Sequence, residues 1–257
     1  MKFFKLFLIF FFVSLKSFAT AQAPAPDYLI INNDTLRIHT NPLKEYFDKN
    51  PIPRTLIKQM SSGNWRGYVA YFKFVDNKLV VQNIYVNEYR YSENGKSENI
   101  VTSIYKDVFG ENLNFECSFY SGLLICPFGR LIEYVHMGYG SLFENYKLFE
   151  IKEGVNSKSK DFTSSEYQIF KIDYFNQFKK TSEYQIKVKE YKEMMVDVNL
   201  EVDKAINLMS DEKPKKKKRI NKSLQLKEAE YKADKELDSF MFIFLDDFMK
   251  TIEIPKT

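Results

Sequence analysis

The densest gathering of chemically capable side chains in the sequence is Tyr134-Val135-His136-Met137-Gly138-Tyr139-Gly140-Ser141, a histidine beside two glycines and flanking aromatics. Such a stretch could line a pocket. Read as part of a strand over Leu131–Met137, it sets Glu133 and His136 on opposite faces, so the two form no local acid–base pair. Gly138-x-Gly140 lacks the third glycine and the lysine of a phosphate loop. The plainer reading is a strand ending in a tight turn. Trp65-Arg66-Gly67-Tyr68 sets the only tryptophan beside an arginine, either a recognition spot or a sheet edge where Arg66 covers an aromatic ring. Trp65, Arg66, His136 and Tyr139 are therefore the candidate pocket or recognition residues. No residue is assigned a catalytic role: G-x-S-x-G, H-E-x-x-H and EF-hand spacings are all missing from the sequence.

Metal and redox chemistry have little to work with. Two histidines and two cysteines cannot supply a four-cysteine or three-histidine site, and His39 lies far from both cysteines in sequence. No metal ligand and no cofactor is expected. Cys117 and Cys126 instead raise a question of register. If Asn114–Phe119 and Leu123–Cys126 form a hairpin over Ser121-Gly122, Cys117 faces Cys126 on a non-hydrogen-bonded rung, about 4.5 Å apart at Cα, the near edge of disulfide geometry. A bridge and a pair of reduced buried thiols are both open at this stage.

All nine glycines lie between Gly63 and Gly154, and the 103 residues that follow contain none. Before that point short aromatic and β-branched runs alternate with turn residues, as antiparallel sheet requires. Hairpins are expected for Tyr28–Ile31 with Thr35–Thr40 over Asn32-Asn33-Asp34, and for Tyr68–Val75 with Lys78–Val86 over Asp76-Asn77. Short helices are expected at Pro42–Phe47 and at Asn99–Phe109, the second stopped by Gly110. Leu131–Met137 and Leu142–Ile151 complete about eight strands.

Past Gly154 the polar run Asn156–Asp161 reads as a loop, and Thr163 with Glu166 makes a capping box for a helix whose face is Tyr167, Phe170, Tyr174 and Phe178. The stripe Tyr184, Val188, Tyr191, Met195, Val198, Val202, Ala205, Met209 then keeps heptad spacing, and Ser223–Ile252 repeats it. Between Val196 and Asp203 the sequence also alternates like a strand, but the heptad matches are more numerous. Two helices of about 42 and 45 Å are long enough to form an antiparallel hairpin. The connection Ser210–Lys222 would carry Lys213, Lys215, Lys216, Lys217, Lys218 and Arg219 at its tip, a cationic spot that could meet an anionic surface such as phospholipid or lipopolysaccharide phosphate.

Met1–Ala21 has the form of a secretory leader, with Lys2 and Lys5 ahead of an apolar run and Ala19-Thr20-Ala21 before the expected mature start at Gln22. Ten apolar residues span only about 15 Å of helix, too little for a membrane crossing. Losing Lys2, Lys5 and Lys16 with the leader lowers the formal charge from +4 to +1. The basic tip accounts for six positive charges, so the rest of the mature chain is mildly acidic. Export also argues against reading that tip as a nuclear import signal or a specific nucleic-acid contact.

The segments Asn41–Phe47, Asn64–Tyr68 and Tyr134–Glu144 resemble blocks of an uncharacterised group of exported bacterial proteins. The resemblance covers Tyr28 to Gly154, implies a bacterial source and a single amino-terminal domain, and brings no activity. The chain is thus read as an α+β protein: leader 1–21, antiparallel β-rich domain 22–154 with about eight strands and two short helices, linker and helix 155–181, and a long antiparallel helix hairpin 182–257 with its basic tip at 213–219. The expected role is non-enzymatic binding or scaffolding at the cell envelope, with an unknown protein or an anionic envelope surface as partner and no transmembrane span in the mature chain. The alternative is a hydrolase with an unrecognised carboxylate and histidine site in the β-rich domain.

Overall fold

Left-handed backbone at Asp76 and Asn77 (φ 49° and 65°) and at Glu153 and Gly154 (φ 46° and 80°) makes two hairpin turns whose own twist matches that of the strands they join. The computed structural model describes residues 24–58, 60–61, 63–91, 97–136, 138–193 and 237–254. Its strands are β1 (Asp27–Ile31), β2 (Asp34–Ile38), β3 (Tyr68–Val75), β4 (Lys78–Tyr91), β5 (Ser97–Ser103), β6 (Phe115–Glu116), β7 (Gly122–Glu133), β8 (Leu142–Lys152) and β9 (Val155–Thr163). Helices α1 (Lys44–Lys49), α2 (Tyr105–Phe109) and α3 (Ser164–Phe178) accompany them. The protein is α+β, as expected, but its nine-stranded sheet is mixed, because β1 pairs with β3 in parallel.

The sheet runs β2-β1-β3-β4-β9-β8-β7, with β5 and β6 on β4. Its ends meet: the His39 N–H, just past β2, donates to the Ile125 carbonyl of β7 at 2.8 Å. Two cores result. Leu29, Ala70, Phe72, Leu79, Val81, Leu124, Cys126 and Ile151 belong to the first, while Leu123, Ile125, Tyr146, Leu148 and the aromatic face of α3 belong to the second. Strands β7 and β8 are the wall between them. Burial on both faces is why Leu123–Pro127 is an unbroken apolar run rather than an alternation.

The capping box forms as expected, with the Thr163 N–H donating to Glu166 Oε2 at 2.8 Å and the Glu166 N–H donating to Thr163 Oγ1 at 3.4 Å. Tyr167, Phe170, Tyr174 and Phe178 are all buried beneath α3. The helix stop at Gly110 (φ 68°) also forms, but only Tyr105–Phe109 is helical. Asn99–Ser103 belongs to β5, where β-branched Val101 and Thr102 suit an extended chain.

Several expectations are corrected. The hairpin over Ser121-Gly122 does not form. Phe115 and Glu116 pair with Val81 and Val80 of β4, the Cys117 N–H donates to Leu79 C=O, and Cys126 sits opposite Lys147 on β8. Both thiols are free and buried. Nor does extended pairing end at Gly154: the supposed loop Asn156–Asp161 is strand β9, paired with β8, so the boundary drawn there falls inside a hairpin. β9 reads as loop because its exposed edge carries serine and lysine. Residues 182–193 and 237–243 are helical, and Tyr191 stacks on Phe240 at 3.9 Å. The body of the expected helix hairpin, with its tip at 213–219 and the segment 196–203, lies outside the described residues, as does the leader. The last helix ends at residue 243, short of Ile252, giving way to a 3₁₀ turn at Leu245–Asp247 and a strap that runs to 254. The strap leaves helical geometry because the sheet offers it better partners. The Met249 carbonyl accepts from the Leu123 N–H at 3.0 Å, and Glu150 accepts from the Ile252 N–H at 2.9 Å. Among the described residues no helix is long and apolar enough to cross a membrane.

Candidate functional site

Asp27 opens β1 with its side chain wholly buried, and it draws the loop before β3 onto the sheet. Its Oδ2 accepts from Arg66 Nη1 at 2.7 Å and its Oδ1 from the Ala70 N–H at 2.8 Å. Arg66 Nη2 also donates to the Ala25 carbonyl at 2.8 Å, and the guanidinium lies 4.9 Å from the Tyr68 ring centroid. Burial works against the Arg66 charge, but the Asp27 carboxylate outweighs it and holds the guanidinium ionised. Gly67, at φ 71°, supplies the turn that points Arg66 inward. Trp65, one residue earlier, is left 71% exposed.

Beyond β7, which ends at Glu133, residues 134–136 and 138–141 are loop rather than the expected strand end. Ser141 Oγ closes it, accepting from the Val135 N–H at 3.0 Å and donating back to the Val135 carbonyl at 3.2 Å. At its base the Tyr139 ring stacks on His39 at 4.6 Å, and Phe143 meets His39 edge-on at 5.6 Å. Burial raises the Tyr139 phenol; the charge of Arg66 opposes this and those of Asp27, Asp247 and Asp246 reinforce it. The two loops therefore meet electrostatically through Arg66 and Tyr139. At the outer rim Tyr134 is 61% exposed and shares a 2.7 Å hydrogen bond with His136 Nδ1.

Of the residues named from sequence, Arg66 and Tyr139 are half-buried and close enough for the Arg66 charge to act on the Tyr139 phenol, while Trp65 and His136 are exposed. Sequence reasoning did not find the groups beneath them. Asp246, on the 3₁₀ turn, accepts from Lys171 of α3 at 2.6 Å and from the Tyr167 hydroxyl at 3.0 Å, all three side chains being buried. Asn41 donates to Asp247 at 3.0 Å. The one advance signal was Lys171, a charge within the aromatic face of α3.

The chemistry this arrangement can do is limited by how its charges are committed. Asp27 holds Arg66, and Asp246 holds Lys171. His39 is pushed down to about 3 by burial and by the charges of Lys171 and Arg37, so its imidazole is neutral across the physiological range. Burial, reinforced by the charge of Asp246, pushes the Asp247 carboxyl up to about 6 against the hydrogen bond from Asn41. Among the described residues no three His, Cys, Asp or Glu side chains gather as metal ligands. Burial also raises both thiols, Cys117 to about 12, which keeps them protonated and unreactive.

A separate open groove of about 490 Å³ lies between β9 and the strap, lined by Lys158, Ser159, Lys160, Ile252 and Glu253. Lys158 and Glu253 form an ion pair across it. Comparison with protein-family models, with curated proteins and with solved structures finds no match to the chain.

Proposed function

We propose that the chain is an exported, non-enzymatic binding module of the bacterial cell envelope, and that it recognises its partner through the loops that carry Trp65 and Tyr134–His136. The observation that carries this reading is the exposure of Trp65 on a loop whose next residue is anchored in the buried Asp27–Arg66 pair. A large aromatic ring held at the surface by a rigid base loses little freedom on binding, which is how interface anchors work. Tyr134 and His136 extend that surface on the neighbouring loop. The secretory form of the leader supports export, and the basic run 213–219 supports a second, electrostatic contact with anionic envelope surfaces.

Trp65 is the sole tryptophan, so it reports on its own site. The test is acrylamide quenching of its fluorescence, alone and with sedimented envelope fragments prepared as separate membrane and peptidoglycan fractions. Protection of Trp65 by one fraction, lost when Tyr134→Ala and His136→Ala are introduced together, is the expected outcome. Quenching that is identical with and without every fraction would overturn the proposal.

A further inference from the structure

Strand β4 continues past its neighbour. β3 stops pairing at Tyr68 opposite Val86, whereas β4 runs on to Tyr91 with β5 alone beside it among the described residues. A two-stranded ribbon is marginal in water, and a further strand is what stabilises it. Among the described residues no strand pairs with the other side of β5. The Ile104 N–H donates to the Ile84 carbonyl, and in the same register Thr102 lies opposite Val86 and Ile100 opposite Glu88. Antiparallel pairs alternate between bonded and non-bonded, so Glu98, Ile100 and Thr102 turn their backbone groups to β4, while Asn99, Val101 and Ser103 turn theirs outward. Val101 is 56% exposed at the middle of that edge.

We propose that the outer edge of β5 pairs with β5 of a second copy, antiparallel about Ile100 or Val101, to make a continuous four-stranded ribbon. A second copy is the occupant we commit to, because its β5 meets no like charge at this edge. Glu98 is the one charged residue of β5, and these two registers oppose it to Thr102 or to Ile104, neither of which is charged. β9 gives the contrast. Past Val155 it pairs with β8 alone among the described residues, but self-pairing about Ser159 would set Lys158 against Lys160. Lysines on an edge are a known defence against such pairing, and β5 carries none, nor any proline.

Val101→Pro is the informative variant, because the Val101 N–H points outward: it removes a donor from the dimer edge and none from the β4–β5 ladder. Val101→Thr keeps that donor. Sedimentation equilibrium of the chain from Gln22, its expected mature form, should show a monomer–dimer equilibrium. Val101→Pro should weaken it by roughly tenfold or more, two symmetry-related donors being lost, and Val101→Thr should leave it unchanged. Thermal melts of both variants establish that they are folded. A wild-type chain that stays monomeric at millimolar concentration would refute the proposal, and so would a dimer that survives Val101→Pro in folded protein. A monomer that pairs only with a foreign extended peptide would refute the choice of occupant.

Discussion

Replacing Glu150 with glutamine should release the carboxyl-terminal strap from the sheet. Glu150 lies on β8 facing the second core, 1% exposed, where Oε2 accepts from Thr251 Oγ1 at 2.8 Å and from the Ile252 N–H at 2.9 Å. Oε1 meets Lys152 Nζ at 3.0 Å and the Ser157 hydroxyl at 3.3 Å. Burial alone would raise this carboxyl, but the Ile252 N–H, Lys152 and Thr251 outweigh it and bring it down to about 2 from an ordinary 4.5. A drop of that size corresponds to roughly 3 kcal/mol of stability carried by the ionised form. Because the folded value is the lower one, this stability is fully present above pH 4.5 and disappears as pH falls from 4.5 towards 2. Urea unfolding should therefore show Glu150→Gln less stable than wild type by roughly 3 kcal/mol at pH 7, and by under about 1 kcal/mol at pH 2.5. Hydrogen exchange should locate the loosening at the Ile252 amide. An equal deficit at both pH values would show that the carboxylate charge is not what holds the strap.

Four further outcomes are expected. Arg66→Met leaves Asp27 buried without its cation and should cost roughly 3–5 kcal/mol in chemical denaturation, with part regained in the Asp27→Leu/Arg66→Met double variant. Gly154→Ala combines a φ of 80° with a Cβ 2.8 Å from the Cys117 carbonyl oxygen, a backbone atom, and should lower stability by roughly 1–3 kcal/mol or more. Thiol titration should find Cys117 and Cys126 silent in the native protein at pH 8 and two free thiols after denaturation without reductant. Changing Lys215–Lys218 to glutamine should reduce co-sedimentation with anionic vesicles at low salt, and pelleting that is unaffected would refute the attraction of that run to lipid phosphate.

What the sequence made legible was local. The Asp76-Asn77 reversal, the Thr163/Glu166 capping box, the Gly110 stop and the aromatic face of α3 are each decided within a few residues by φ, by a side-chain oxygen or by helical period. What it concealed depends on distant partners. β9 looks like loop because its outward positions are serine and lysine, yet β8 supplies the pairing that makes it a strand. The supposed cysteine hairpin fails because Leu79 and Val81, nearly forty residues upstream in sequence, claim the segment around Cys117 first. The stripe expected through Phe240, Phe244 and Phe248 is not the buried one: Leu237, Met241, Leu245 and Met249 enter the second core, and the sequence says nothing of the sheet edge that ends the helix at residue 243. Within the candidate site the same division holds. Arg66 and Tyr139 stood out by their company, whereas Asp27 opens an ordinary apolar strand and nothing nearby marks it as fully buried.

The strap also bears on how the proposed recognition loops behave. Gly138 packs so closely on Ile243 and Phe244 that an added Cβ would lie 3.1 Å from the first and 3.3 Å from the second. Gly138 thus rests on the same carboxyl-terminal segment that Asp246 fixes to α3 and Glu150 fixes to β8. On its other side Tyr139 leans on His39, whose N–H closes the seam between β2 and β7. A partner that displaces Tyr139 must therefore disturb both the strap and the seam, which sets a high cost on rearrangement. Binding at Trp65 and Tyr134, which lie outside those contacts, carries no such cost. The geometry favours a surface that receives its partner with little change of backbone, and places its anchors where side chains can adapt while the loops beneath them stay fixed.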